Sequence, residues 1–187
     1  MATVDELIND AQTRMGKSVE HARETFNTVR TGRASGSLLD RIEVDYYGTP
    51  TQLKQLATIN VPEARMLTVQ PFDPSSVRAI EKAIQESDLG LTPSSDGKIV
   101  RLPIPQLTEE RRKEYVKLAR NMAEEGRVKI RNVRRDVMHD LRELRKEGEV
   151  GEDEEKRAEA ELQHVTDERI AELDRHLKGK EAEILEV

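Results

Sequence analysis

The stretch Gly32-Arg-Ala-Ser35-Gly36 is the nearest this chain comes to a catalytic nucleophile. A hydrolase elbow sets glycine two residues either side of the serine, so that the hydroxyl stands on a tight strand-to-helix turn. Here Gly36 is adjacent to Ser35, and no histidine is organised nearby. The same glycines could cradle a phosphate, but no Gly-Lys-Ser/Thr follows, so a nucleotide P-loop is absent. His21, His139, His164 and His176 are scattered through helical segments, and His176, four residues after Glu172, reads as half of a surface pair. There is no His-Glu-x-x-His and no EF-hand loop. Glu152-Asp-Glu-Glu155 concentrates carboxylates, but in a helix's first turn, where they favour its positive end rather than form an acid/base pair. The absence of cysteine excludes disulfides, thiolate chemistry, Cys-based zinc sites and iron–sulfur clusters, and points to a reducing cytoplasm. The reading is of a protein that is not an enzyme and needs no cofactor or metal.

Phosphate recognition is the chemistry that remains. Between Arg111 and Arg135 ten basic residues face three acidic ones, a local net charge of +7, whereas Val150–Val187 carries 13 acidic and six basic residues. A charge run is ordinarily a solvated helix face, so geometry has to decide. From Thr108, which reads as an N-cap followed by Glu109 and Glu110, nothing interrupts a helix before Gly148, and such a rod is roughly 60 Å long. At 100° per residue Tyr115, Ala119, Met122, Ile130, Val133, Val137, Leu141 and Leu144 gather on one side. Lys113, Lys117, Arg120, Arg127, Arg131, Arg134, Arg142 and Arg145 project from another. A one-sided Lys/Arg ridge exceeds what solubility needs, and the arginine fork suits phosphate oxygens. No Trp, two Phe and three Tyr leave little for base stacking, so recognition should rest on backbone phosphates and shape.

The rest of the chain explains what positions that ridge. With 187 residues, 36% charged and only 35% hydrophobic, the chain suits thin layers of long helices better than one thick core. The longest uncharged stretches, Tyr46–Leu53 and Gln55–Pro62, are far short of the roughly 20 apolar residues of a membrane span. Met1-Ala-Thr-Val-Asp-Glu-Leu7 is acidic, with no apolar run, and does not read as a secretory leader. Val4, Ile8, Ala11, Met15, Val19, Ala22, Phe26 and Val29 form a first helical seam; Ala158, Leu162, Val165, Leu173, Leu177 and Ile184 form a third. All seven prolines fall between Pro50 and Pro105, marking a turn-rich insert. Within it Arg41–Tyr47, Leu56–Val61, Met66–Gln70 and Lys98–Ile104 read as strands, and Gly48-Thr-Pro50 reads as the end of the first. Asp73-Pro74 reads as a helix start. The predicted fold is α+β: a long antiparallel three-helix bundle (residues 1–30 and 106–187) with a small α/β domain (31–105) inserted between its first two helices. Two short connections then join the domains and would let one swing against the other. Gly126 lies on the apolar side of the central helix, where a small residue permits close approach at a cost of about 1 kcal/mol in helix propensity.

Several motifs, in order and spread along the whole chain, resemble bacterial ribosome recycling factor. They are Val29-Arg-Thr-Gly-Arg-Ala34, Tyr46-Tyr-Gly-Thr-Pro50, Ser87-Asp-Leu-Gly-Leu91, Ile104-Pro-Gln-Leu-Thr-Glu-Glu-Arg-Arg112 and Val128-Lys-Ile-Arg-Asn-Val-Arg-Arg-Asp136. The resemblance implies an L-shaped molecule that binds the post-termination ribosome. With elongation factor G and GTP, such a factor separates the subunits. It also implies that Arg112, Arg131 and Arg134 contact large-subunit ribosomal RNA; Arg135, Arg127 and Arg120 extend that ridge. Arg30, Thr31, Gly32, Arg33 and Ala34 would form the first hinge strand, with Pro103 and Pro105 on the second. The expected partners are the ribosome and the translocase, with no membrane, for a monomer in the cytoplasm. The rival reading is a helical scaffold or chaperone that grips protein partners through apolar residues at the bundle tip.

Overall fold

The computed structural model describes residues 3–186, so Met1 and Ala2 of the acidic N-terminal stretch, and Val187, lie outside it. Three long helices carry one compact unit: α1 (Val4–Asn27), α4 (Glu109–Lys146) and α5 (Glu152–Leu185). Each has a physical start or stop. The Thr3 hydroxyl accepts from the Glu6 N–H at 3.2 Å while the Glu6 carboxylate accepts from the Thr3 N–H at 2.8 Å, a reciprocal cap on α1. Helix α4 ends where Gly148 takes φ +77°, which lets the Glu149 N–H return to the Leu144 carbonyl at 3.0 Å.

Cross-helix contacts give the helix directions. Arg120 meets Glu181, Arg127 meets Asp174, Arg134 meets Gln163 and Arg145 meets Glu155, so numbers fall on α5 as they rise on α4. Arg14 meets Asp136, and a side chain at Gly126 would meet Ala22, so α1 also runs against α4. The core between them holds Ile8, Ala11, Met15, Val19, Ala22 and Phe26 with Ala123, Ile130, Val137, Leu141, Leu162 and Leu173. This is largely the seam the spacing predicts, except that Tyr115 and Met122 are only half-buried and their neighbours Val116 and Ala123 are buried instead.

The second unit, Gly32–Thr108, has its own core. Strands β1 (Glu43–Tyr46) and β2 (Thr49–Gln52) form an antiparallel hairpin, followed by the one-turn helix α2 (Leu53–Leu56). Strands β3 (Ala57–Glu63), β4 (Met66–Pro71), β5 (Ser94–Ser95) and β6 (Val100–Pro103) make an antiparallel sheet in the order β3-β4-β6-β5. Alternate residues Leu67, Val69, Val100 and Leu102 are buried in a core shared with Val77, Ile80 and Ile84 of α3 (Val77–Gln85). The first strand ends at Tyr46, before Gly48 as expected, but Thr49 and Pro50 already belong to the next strand. Tyr47 and Gly48, at φ +51° and +82°, turn the chain, and Pro50 pairs with Asp45 in a hairpin that has no further strand for its missing N–H to serve.

Gly126 shows how tightly the bundle is built. A Cβ there would lie 2.6 Å from Leu173 Cδ1 and 3.3 Å from Ala22 Cβ, and both neighbours are buried. At Gly16 a Cβ would meet only the Arg169 guanidinium, at 3.7 Å. The same substitution should therefore act with opposite sign at the two sites. Gly16→Ala should raise stability by about 0.5–1 kcal/mol through helix propensity. Gly126→Ala gains that term but overpacks the core at a cost of about 1–3 kcal/mol, so it should lower stability by up to about 2 kcal/mol. Thermal unfolding of both variants checks the pair; a raised Tm for Gly126→Ala would mean that Leu173 can yield.

Candidate nucleic-acid interface

The motifs that suggested chemistry resolve into structural duties. The Ser35 hydroxyl accepts from the Ser37 N–H at 3.4 Å and lies 2.8 Å from the Ser37 hydroxyl, capping a short 3-10 turn over Gly36–Leu39. His164 sits 3.3 Å from Glu168 on the surface. The pair expected between His176 and Glu172 gives way to Glu172 with Arg169 at 2.8 Å. Among the described residues no group of three or more His, Asp or Glu is placed to hold a metal ion. No helix among them is long and apolar enough to cross a membrane. Glu152–Glu155 do occupy the first turn of α5. Glu155, however, turns inward: its side chain is 7% exposed and accepts from Arg145 Nη1 at 2.5 Å.

Helix α4 presents its cations in two columns. The inner column, at seven-residue steps, lies along α5. Arg120 Nε donates to Glu181, and Arg127 donates from Nε and Nη2 to Asp174 Oδ1 at 2.9 and 2.7 Å. Arg134 Nη1 donates to the Gln163 amide oxygen at 2.6 Å. The outer column is exposed. There Arg131 Nη1 reaches Glu124 Oε1 at 2.9 Å and Arg135 Nη2 reaches the Asn132 amide oxygen at 2.7 Å. Arg131, Arg134, Arg135 and Arg142 border one open depression on the flank of α4, and Arg112 is half-buried near its start.

The partners sort these arginines electrostatically. A carboxylate cancels the guanidinium charge, whereas an amide oxygen orients the fork and leaves the charge intact. Arg134 and Arg135 are thus oriented and uncancelled, while Arg120, Arg127 and Arg131 are offset by Glu181, Asp174 and Glu124. Arg145, expected on the ridge, is committed to the buried Glu155 and lies 3.8 Å from Glu152. Sequence reasoning missed the opposing Asp174, Glu181 and Gln163. The signal was available: an antiparallel register reflected through the Gly148–Gly151 turn sets residues near 120, 127 and 134 against these positions.

Of the expected hinge residues, Ala34 donates its N–H to Ala64 at 2.7 Å and Pro103 pairs with Met66 at the end of β6. Gly32 adopts φ +75°, where a Cβ would meet Leu107 at 3.4 Å. These bonds anchor both connecting segments to the smaller unit, whose limits fall at Thr31/Gly32 and Thr108/Glu109, later on the second segment than Pro105.

The family described as Ribosome recycling factor matches residues 22–185 of this chain. The ribosome-recycling factor of Rubrobacter xylanophilus is 58% identical over 180 residues, covering 96% of this chain and 97% of that one. That of Acidothermus cellulolyticus is 52% identical over 184 residues, covering 98% and 100%. The chain belongs to the ribosome recycling factor family. The solution structure of a ribosome recycling factor superposes over 100% of both chains with a TM-score of 0.74 at 42% identity. A second structure, of the T. thermophilus ribosome recycling factor and E. coli elongation factor G bound to the E. coli post-termination complex, gives a TM-score of 0.64 at 48% identity over 98% of this chain and 100% of that one. The α+β fold is that of the family, and ribosome recycling factors are non-enzymatic translation factors.

One contact in the bundle can be tested for structure alone. Arg145→Ala leaves the Glu155 carboxylate buried without its cation, which should lower the Tm by several degrees. Adding Glu155→Gln should restore most of the loss, since a neutral amide needs no counter-charge. A thermal melt of the single and double variants checks both halves.

Proposed function

We propose that this chain binds the post-termination ribosome by seating α4 on phosphates of large-subunit ribosomal RNA, and that with elongation factor G and GTP it promotes separation of the subunits and release from the messenger. Arg112, Arg131, Arg134 and Arg135 form the contact edge, and Arg120 and Arg127 lie behind it against α5. One observation carries the reading: the Arg134 and Arg135 guanidiniums donate to amide oxygens, which orient the fork without spending its charge. The T. thermophilus relative, held with elongation factor G on a post-termination complex, supports the choice of partner. GTP hydrolysis belongs to that partner, because this chain carries no P-loop.

The long bundle transmits force, and the segments Arg30, Thr31, Gly32, Arg33, Ala34 and Pro103, Pro105 act as the hinge. Two crossings of the chain permit rotation while limiting translation. The factor works as a monomer in the cytoplasm. A chaperone-like grip finds no support at the bundle tip, where Leu7, Leu144 and Val150 are buried in the core. The large apolar side chains that α4 does expose, Leu118 and Val128, stand ten residues apart.

Co-sedimentation with 50S subunits across a salt series tests the contact, followed by subunit splitting with elongation factor G and GTP. Affinity should fall steeply as salt rises, as counterion release requires. Arg134→Ala should cost about 1–3 kcal/mol of binding, the range for a lost charge-assisted hydrogen bond, with an unchanged circular dichroism spectrum and melt. Binding by Arg134→Ala at full strength would remove this residue from the interface.

A further inference from the structure

Arg127 is the most enclosed of the ridge cations whose ion pairs are described above, with 21% of its side chain exposed. Asp174 takes its Nε and Nη2, and Glu124 Oε2 takes its Nη1 at 3.0 Å. The other oxygen of Glu124 takes Arg131 at 2.9 Å, so one carboxylate is shared by two arginines. Hydrogen bonds from Arg131 and then Arg127 hold the Glu124 carboxyl below its usual range. Of the three acidic residues between Arg111 and Arg135, Glu114 is engaged by Arg111 at 3.1 Å, and Glu125 points about 100° further round the helix than Glu124. Glu124 alone of these stands among the outer cations. A surface selected only for tight phosphate binding has no use for an acid there.

We propose that Glu124 and Asp174 are built-in counter-ions that mask Arg127 and Arg131 and hold the affinity of the factor for ribosomal RNA at a releasable level. The inference rests on the reading of α4 as the RNA-binding edge. Carboxylate and phosphate compete for the same guanidinium fork. An arginine already neutralised must give up its carboxylate before it can replace a counterion on RNA, so it adds little to net binding. Masking leaves the uncancelled Arg134 and Arg135 to set the position, while Arg127 and Arg131 contribute less than their number suggests. The opposite role predicts the opposite sign: if the carboxylates served to aim the two forks at phosphate, removing them would weaken binding.

The test uses the full chain and vacant 50S subunits, from about 50 to 200 mM salt. The variants are Glu124→Gln, Asp174→Asn and their combination, with Arg134→Ala as reference. Glu124→Gln should bind about three- to thirty-fold more tightly at a given salt. Its log–log salt slope should steepen by about 0.7–0.9 for each arginine freed. Asp174→Asn, which leaves Arg127 an amide acceptor, should shift affinity and slope in the same direction and carries the test if Glu124→Gln melts early. Unchanged affinity and slope, or weaker binding, in the folded carboxylate variants would overturn the proposal. If Arg134→Ala loses affinity in that case, only the masking idea fails; if Arg134→Ala also binds normally, the reading of α4 fails with it.

Discussion

The close approach of α1, α4 and α5 at Gly126 governs what the bundle can present. With Leu173 and Ala22 where a Cβ at residue 126 would have to go, the three helices pack closer at that level than any larger residue would allow. Because α4 and α5 lie so near each other, long side chains on the flank of α4 can reach acceptors on α5. Those at 120, 127 and 134 bridge to α5, and the residue type waiting there decides their electrostatic fate. Packing and charge are therefore one problem here.

The distinction between amide and carboxylate partners changes how the basic stretch is counted. By sequence, Arg111–Arg135 carries a net +7. Across the bundle, Glu181 and Asp174 supply further negative charge from α5, and Arg145 beyond the stretch is committed to Glu155. Lys117, Lys129, Arg134 and Arg135 keep no described carboxylate partner, and the last two flank the depression on α4 beside Asp136 and Asp140. Electrostatic attraction at longer range still draws on the whole positive flank against the acidic α5, and governs encounter more than final position.

Much of this fold was legible in the chain, because long amphipathic helices write their cores in steps of three and four. Met15, Phe26, Ile130, Leu141, Leu162 and Leu173 are buried where that spacing puts them. The proline cluster bounded the inserted unit for a similarly local reason. Two kinds of feature were not legible. The end of β1 before Gly48 was read correctly, but the return strand β2 was missed because Pro50 looked like loop, although β2 has only one pairing partner and so can hold it. The pairing of Arg120 and Arg127 with Glu181 and Asp174 depends on register between helices, which no single-helix projection contains. Glu155 shows the same limit: its place in a first helical turn was plain, its inward turn onto Arg145 was not.

A factor without catalysis of its own must work by being held, pushed and let go, and each demand constrains the same helix. Holding requires cations on phosphate. Transmission of force requires a rod, and the 38 residues of α4 give about 57 Å of it, backed along its length by two partners. Release requires that the holding not be too strong, yet stiffness and basicity both tend to raise affinity, the first by removing entropy loss on binding and the second by charge. An arginine paired with a carboxylate on the neighbouring helix meets all three demands. It ties α4 to α5, it keeps a cation beside the interface, and it takes that cation partly out of the binding energy. On the proposed reading, the conflict between a rigid rod and a reversible grip is resolved within single side chains, since the arginines that tie α4 to α5 are the same ones whose charge is offset there.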